Sequence, residues 1–144
     1  MGLLDGYTSG IGSPRPKWQH QIIMRNFIAN SHFELKRKRL EILTEATVTD
    51  DWDDKAPDLV IFSKEMQPLS IIEITRSYQL RDIIEKCEEL MERFPMSEYF
   101  VYDYEEEILY QYDAETDQWL SSNEYELWSA YLSQPVTNYF KYDT

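Results

Sequence analysis

Asp58 and Glu73 are two carboxylates set inside strongly apolar sequence. The stretch from 57 to 75, PDLVIFSKEMQPLSIIEIT, holds two apolar runs, LVIF and LSIIEIT, on either side of the polar break SKEMQP. Both runs lack a polar face, which suits strands buried on both sides. Burying a charge there is costly unless it is paired. A loop symmetric about its centre pairs Phe62 with Leu69 and, four residues further out on each strand, Asp58 with Glu73. Directly opposed residues have Cβ atoms roughly 4.5–5.5 Å apart, and like charges at that spacing repel. Three arrangements relieve the repulsion. The pair can share a proton at a raised pKa. It can hold a divalent cation such as Mg²⁺ or Mn²⁺, which takes hard oxygen ligands. Or one acid, such as Asp58 after Pro57, can sit at a strand end and reach water.

A cation follows on the next element. In YQLRDIIEKCEELMERF, residues 78–94, the apolar positions Leu80, Ile83, Ile84, Cys87, Leu90, Met91 and Phe94 keep a helical period. Lys86 lies at the edge of that stripe, where its stem can run along the sheet and bring the ammonium to the strand ends. Asp82, one turn earlier, is placed to orient Lys86 in the favourable acid-first order. An ordinary surface ion pair has the same spacing.

The elements that must position these groups can be read along the chain. Residues 1–16 hold all four glycines and read as a flexible arm. A helix is expected over 17–32 and a half-buried strand over 40–48, followed by a polar connection at 49–56. Strands follow at 58–62 and 69–75, then the helix at 78–94, ended by Pro95. A strand pair at 98–103 and 107–113 crosses a short acidic turn, and a last helix is expected at 124–133. The order implies an α/β domain, a mixed sheet flanked by helices, over 17–133, with a C-terminal tail at 134–144.

Composition narrows the partners. A formal net charge of −13 argues against a broad electrostatic grip on nucleic acid but leaves room for a local site. The basic run KRKR at 36–39 reads as a solvated loop or strand edge, or as a rim that touches phosphate. The single cysteine, Cys87, excludes an internal disulfide and falls on the apolar side of its helix. No apolar window is long enough for a membrane span, and the N-terminus lacks a signal-peptide pattern, so a cytoplasmic protein is expected. The aromatic C-terminal residues Trp128, Tyr131, Tyr139 and Phe140 suggest a homodimer surface.

An ordered set of pieces then carries a resemblance. PD at 57–58, IIEIT at 71–75, RDIIEK at 81–86 and SEYFVYD at 97–103 follow an N-terminal helix bearing His20, itself preceded by SPRP. Together, over roughly residues 14–113, they resemble the Uma family of proposed restriction endonucleases, within the PD-(D/E)XK nuclease superfamily. The resemblance implies a restriction-endonuclease-like core and a metal-dependent endonuclease acting on phosphodiester bonds, with DNA favoured over RNA. It makes Asp58 and Glu73 the ligands of Mg²⁺ or Mn²⁺, with Ile74 adding its backbone carbonyl. The sequence departs from the superfamily where a lysine is expected two residues after Glu73, because Thr75 stands there. Lys86 is the replacement the family suggests. Arg76 is the next cation along, but on a strand it faces away from Glu73. Glu45 is a candidate third acid, with an exposed strand carboxylate as the alternative. His20 is a candidate proton carrier or phosphate contact, with an ordinary helix histidine as the alternative. A non-catalytic interaction module on the same fold is the competing function. It fits the acidic charge and the acidic turn at 103–107. An acidic nucleic-acid mimic would need the acids on one exposed face.

Overall fold

The two apolar runs form the middle of a sheet covered on both faces. The computed structural model describes residues 18–46 and 56–141. Helix α1 spans Trp18–Arg37 and strand β1 Glu41–Thr44. Strands β2, Leu59–Phe62, and β3, Pro68–Thr75, are the apolar runs. A 3₁₀ turn, Ser77–Gln79, leads into α2, Leu80–Arg93. The chain then forms β4, Glu98–Asp103, β5, Ile108–Asp113, and β6, Gln118–Ser121, and a 3₁₀ turn at Val136–Tyr139.

The six strands lie in sequence order in one sheet. Neighbours are antiparallel except β3 and β4, which run parallel with α2 as the crossover between them. A parallel pair needs such a crossover, and this one puts a helix on one face. The fold is therefore α+β, a mixed sheet between helical layers, as the element pattern implies.

Strand alternation sorts the core into two halves. Leu59, Ile61, Ile72, Ile74, Phe100 and Tyr102 face α1 and the C-terminal segment. Val60, Phe62, Ile71, Tyr99 and Val101 face α2, which meets them through Cys87 and its flanking Ile83, Ile84 and Leu90. By the same alternation Glu73 and Thr75 share the α2 face with Ile71.

Helix α1 runs past the expected end at 32, through SHFELKR to Arg37. The basic run is thus a helix terminus and not a loop or strand edge. Lys36 and Arg37 lie in the last turn, where cations oppose the helix dipole. Leu40 N–H donates to the Leu35 carbonyl at 2.9 Å and Arg39 N–H to the Lys36 carbonyl at 3.0 Å. Arg39 itself takes a left-handed φ of 60°, the position glycine usually fills in this terminating motif. Lys38 Nζ donates to the Tyr131 carbonyl at 2.7 Å and lies 3.6 Å from Glu34.

Three other expectations change. The strand expected over 40–48 is only Glu41–Thr44 within the described residues, with 47 and 48 outside them. Residues 1–16 and most of the 49–56 connection also lie outside. No helix forms at 124–133, and β6 adds a strand before it. The segment is held in irregular form by tertiary bonds: Glu98 accepts from Ser129 Oγ and Ala130 N–H, both at 2.7 Å, and Gln111 Nε2 donates to the Trp128 carbonyl at 3.3 Å. Finally, the expected tail at 134–144 is core through 140. Val136, Tyr139 and Phe140 are buried, and the Phe140 ring stacks on Tyr102 with centroids 3.9 Å apart. Asn26 Nδ2 donates to the Phe140 carbonyl at 3.2 Å, and the Tyr139 hydroxyl donates to Glu34. Tyr139 and Phe140 are therefore not free for a dimer surface. Among the described residues no helix is long and apolar enough to cross a membrane.

Removing the Phe140 ring leaves a void between Tyr102 and Phe27. Phe140→Ala should therefore lower stability by about 3–5 kcal/mol in urea unfolding, and a loss below about 1 kcal/mol would contradict the placement of this segment in the core.

Candidate active site

The β2–β3 ladder brings the two carboxylates together, though not by a symmetric loop. Phe62 pairs with Pro68, and the register shifts so that Ile61 pairs with Ser70. Leu69 is the extra residue of a bulge. Beyond it Val60 pairs with Ile71 and Leu59 with Ile72, and the next step along each strand is Asp58 and Glu73. Each carboxylate takes an amide from the other strand. Asp58 N–H donates to Glu73 Oε1 at 2.8 Å, and Ile74 N–H donates to Asp58 Oδ2 at 2.8 Å.

Two cation donors close on this pair from opposite layers. From α2, Lys86 Nζ donates to Glu73 Oε2 at 2.5 Å. The Glu73 side chain is 3% exposed and that of Lys86 26%. From the first turn of α1, His20 Nε2 lies 3.1 Å from Asp58 Oδ2. His20 thus meets the cluster at the strand end, where α1 and α2 layers both reach. Its Nδ1 is buried without a hydrogen-bond partner among the described residues.

The electrostatics follow from this packing. Burial raises the Glu73 pKa above its ordinary value, the Asp58 charge raises it further, and the Lys86 ammonium only partly opposes both. For His20 burial pulls the pKa down, but the hydrogen bond to Asp58 and the charges of Asp58 and Glu73 outweigh it, and the result is raised. Burial pushes the Cys87 thiol up, with the Glu73 charge behind it, so Cys87 is a core residue and not a nucleophile.

The other candidates lie around the cluster. Glu45 follows β1 with a left-handed φ of 52° and an exposed side chain. What ties it to the site is its backbone, since Glu45 N–H donates to the Asp58 carbonyl at 3.0 Å. Glu45, Thr44, Met24, Ile28 and His20 line part of a cleft of about 360 Å³ between α1 and β1. Asp82 is exposed in the first turn of α2, while the ion pair that holds Lys86 is the one to Glu73. Buried Thr75 donates its hydroxyl to the Arg76 carbonyl at 3.0 Å. Arg76 turns away to Glu105, as strand alternation requires.

Asp103, at the end of β4, escaped the sequence reading. It is buried and accepts from Ser77 Oγ at 2.7 Å and from the N–H groups of Glu105 and Glu106 at 3.0 and 3.2 Å. An Asp leading a turn, as in DYEEE, is the signal that marks such a residue.

Among the described residues no group of three or more His, Cys, Asp or Glu side chains is gathered as a metal cage. Asp58 and Glu73 are brought together by their crossed amide bonds, Asp58 N–H to Glu73 Oε1 and Ile74 N–H to Asp58 Oδ2. Mg²⁺ commonly uses one or two carboxylates and completes its shell with water and substrate phosphate.

A mixed six-stranded sheet with one central parallel pair and helices on both faces is an α+β architecture. A solved structure from Anabaena variabilis, described as "a putative nuclease belonging to DUF820", shares it: the TM-score is 0.68 over 90% of this chain and 84% of that one, at 16% identity. At that identity the likeness is one of fold. No protein-family model and no curated protein matches the sequence.

The raised Glu73 pKa sets a pH dependence. A group with a raised folded pKa adds stability below its unfolded value and loses it as pH rises through the folded value. The loss therefore begins above 4.5, with a further His20 loss above 6.5. Glu34, whose pKa is lowered despite its burial by hydrogen bonds from Tyr139 and Ser133, acts in the opposite sense at acid pH. Comparing the wild type with Glu73→Gln isolates the first effect. Without added divalent cations, the Tm of the wild type should fall more steeply between pH 4.5 and neutrality than that of Glu73→Gln. Parallel curves would contradict a Glu73 whose pKa is raised in the fold.

Proposed function

We propose that this protein is a metal-dependent endonuclease that hydrolyses phosphodiester bonds in DNA. The observation that carries the reading is the bond from Lys86 to Glu73, made beside Asp58. The lysine missing at Thr75 is replaced at the same carboxylate by one from the helix. The fold shared with the protein described as "a putative nuclease belonging to DUF820" supports it.

Asp58, Glu73 and the Ile74 carbonyl would hold Mg²⁺ or Mn²⁺. The cation would activate a water molecule and neutralise charge on the phosphate. The chain's own groups do the remaining work. Lys86 has three N–H donors and spends one on Glu73, which leaves donors for a phosphate oxygen or the attacking water. His20 holds a proton against Asp58 Oδ2 and fixes that carboxylate from the α1 side. The Asp58 and Ile74 amides lock both carboxylates to the ladder, so little reorganisation is needed when substrate binds.

A second reading, a non-catalytic interaction module, is favoured by the net charge of −13 and by a Glu73 whose two oxygens are both bonded within the chain. Cleavage separates the two. Supplied with Mg²⁺ or Mn²⁺, the wild type should cut supercoiled plasmid, with labelled RNA run alongside to test the preference for DNA. Asp58→Ala, Glu73→Ala and Lys86→Ala should each lose at least about a hundredfold in rate. Variants that cut like the wild type would remove these residues from the site. A wild type that cuts neither polymer would leave the interaction module.

A further inference from the structure

A second cluster sits at the same end of the sheet and is built like a phosphate site. The β3–β4 register pairs Thr75 with Asp103, so the turn after β4 lies against Arg76 and Ser77. Asp103 fixes that turn through the Glu105 and Glu106 amides and fixes Ser77 through its hydroxyl. The Glu105 carboxylate then enters a set of three donors. Arg76 Nε and Nη2 both lie 3.3 Å from Glu105 Oε2, and Ser77 N–H donates to Oε1 at 2.9 Å. The Arg76 guanidinium also lies over the Tyr78 ring, 5.2 Å from its centroid, and Tyr78 is 66% exposed.

We propose that Arg76 and the Ser77 amide form a subsite for a backbone phosphate of a nucleic-acid strand, and that Glu105 occupies it until the strand displaces it. This rests on the nuclease reading and adds to it a strand-positioning site and a built-in competitor.

The two Glu105 oxygens stand in for two non-bridging oxygens of a phosphodiester. A guanidinium fork with an adjacent backbone N–H accepts either anion. The Glu105 and Arg76 side chains are 37% and 31% exposed, and a pair so open to water contributes little to stability. An incoming phosphate also releases counterions, which a side-chain carboxylate does not. Arg76 lies three residues beyond Glu73, about 10 Å along an extended strand, so the two sites fall within a few nucleotides of one another. Tyr78 offers an exposed ring face beside the subsite on which a base can stack. The arrangement also reconciles a very acidic chain with a nucleic-acid ligand. The grip is local, and one acid of the 103–107 turn screens it.

The test is equilibrium binding of a fluorescein-labelled DNA oligonucleotide, single-stranded and duplex, in Ca²⁺ to prevent turnover. Glu105→Gln should bind about three- to fivefold more tightly than the wild type, the gain expected from freeing an exposed ion-pair partner. Arg76→Gln should bind at least about fivefold more weakly. In the Arg76→Gln background Glu105→Gln should tighten binding far less, because of the donors proposed for the phosphate only the Ser77 amide is left to free. The proposal is overturned if Glu105→Gln binds no better, if it tightens binding equally without Arg76 (a general effect of charge), or if no variant binds DNA. Both positions are at the surface, and far-UV circular dichroism checks that the variants fold. Cleavage by the same proteins in Mg²⁺ separates the two readings. Coupled binding without cleavage sinks the nuclease and keeps the subsite. Cleavage without the coupling sinks the subsite alone.

Discussion

The carboxylate of Glu73 is buried in the middle of the sheet and accepts from two elements at once, the Asp58 amide of the neighbouring strand and the Lys86 ammonium of α2. Left alone at that depth it would be neutral or strongly destabilising. Its partners make it tolerable, and in doing so they join β2, β3 and α2 at a single point. An apolar pair of similar volume would hold the layers together at least as well, since burying an ion pair seldom adds net stability. The chemistry of the pair is thus a better reason for its presence than packing is.

The topology explains why the lysine can come from a helix. A parallel β3–β4 pair forces a crossover, and the crossover is α2, which starts at the end where Glu73 lies. Its apolar stripe docks on Ile71, Tyr99 and Val101, and Lys86 lies next to Cys87 at the centre of that contact. A long side chain at the stripe's edge then points along the sheet to the carboxylate. Thr75, two residues past Glu73 on the same face, spends its hydroxyl on the Arg76 carbonyl. From the other layer, α1 delivers His20 to Asp58, so the strand end is enclosed by both helices.

Much of this was legible in the sequence, for specific reasons. The apolar runs at 59–62 and 68–75 and the periodic helix at 80–93 carry strong patterns, and they are the elements that position Asp58, Glu73 and Lys86. A symmetric loop and the observed one agree from Ile61 outward although they differ at Phe62, because the bulge at Leu69 absorbs the asymmetry before the pairing reaches Ile61. The segment at 124–133 has helix-like spacing, but Glu98 takes the amide of Ala130 and the hydroxyl of Ser129, contacts from a distant strand that no local pattern reveals. The same holds for His20. A histidine on a helix with little amphipathic pattern gives no sign of its partner 38 residues away. Phe140 looks like part of a tail in the sequence because its partners Tyr102 and Phe27 come from β4 and α1.

The central claim of the proposal is that Asp58 and Glu73 bind a divalent cation. Anomalous diffraction from a crystal soaked in Mn²⁺ tests it most directly. The account predicts a peak about 2.0–2.3 Å from an oxygen of each carboxylate, with the Lys86 ammonium nearby. A map with no peak there, and with Glu73 still bonded to Lys86 and the Asp58 amide, would contradict it.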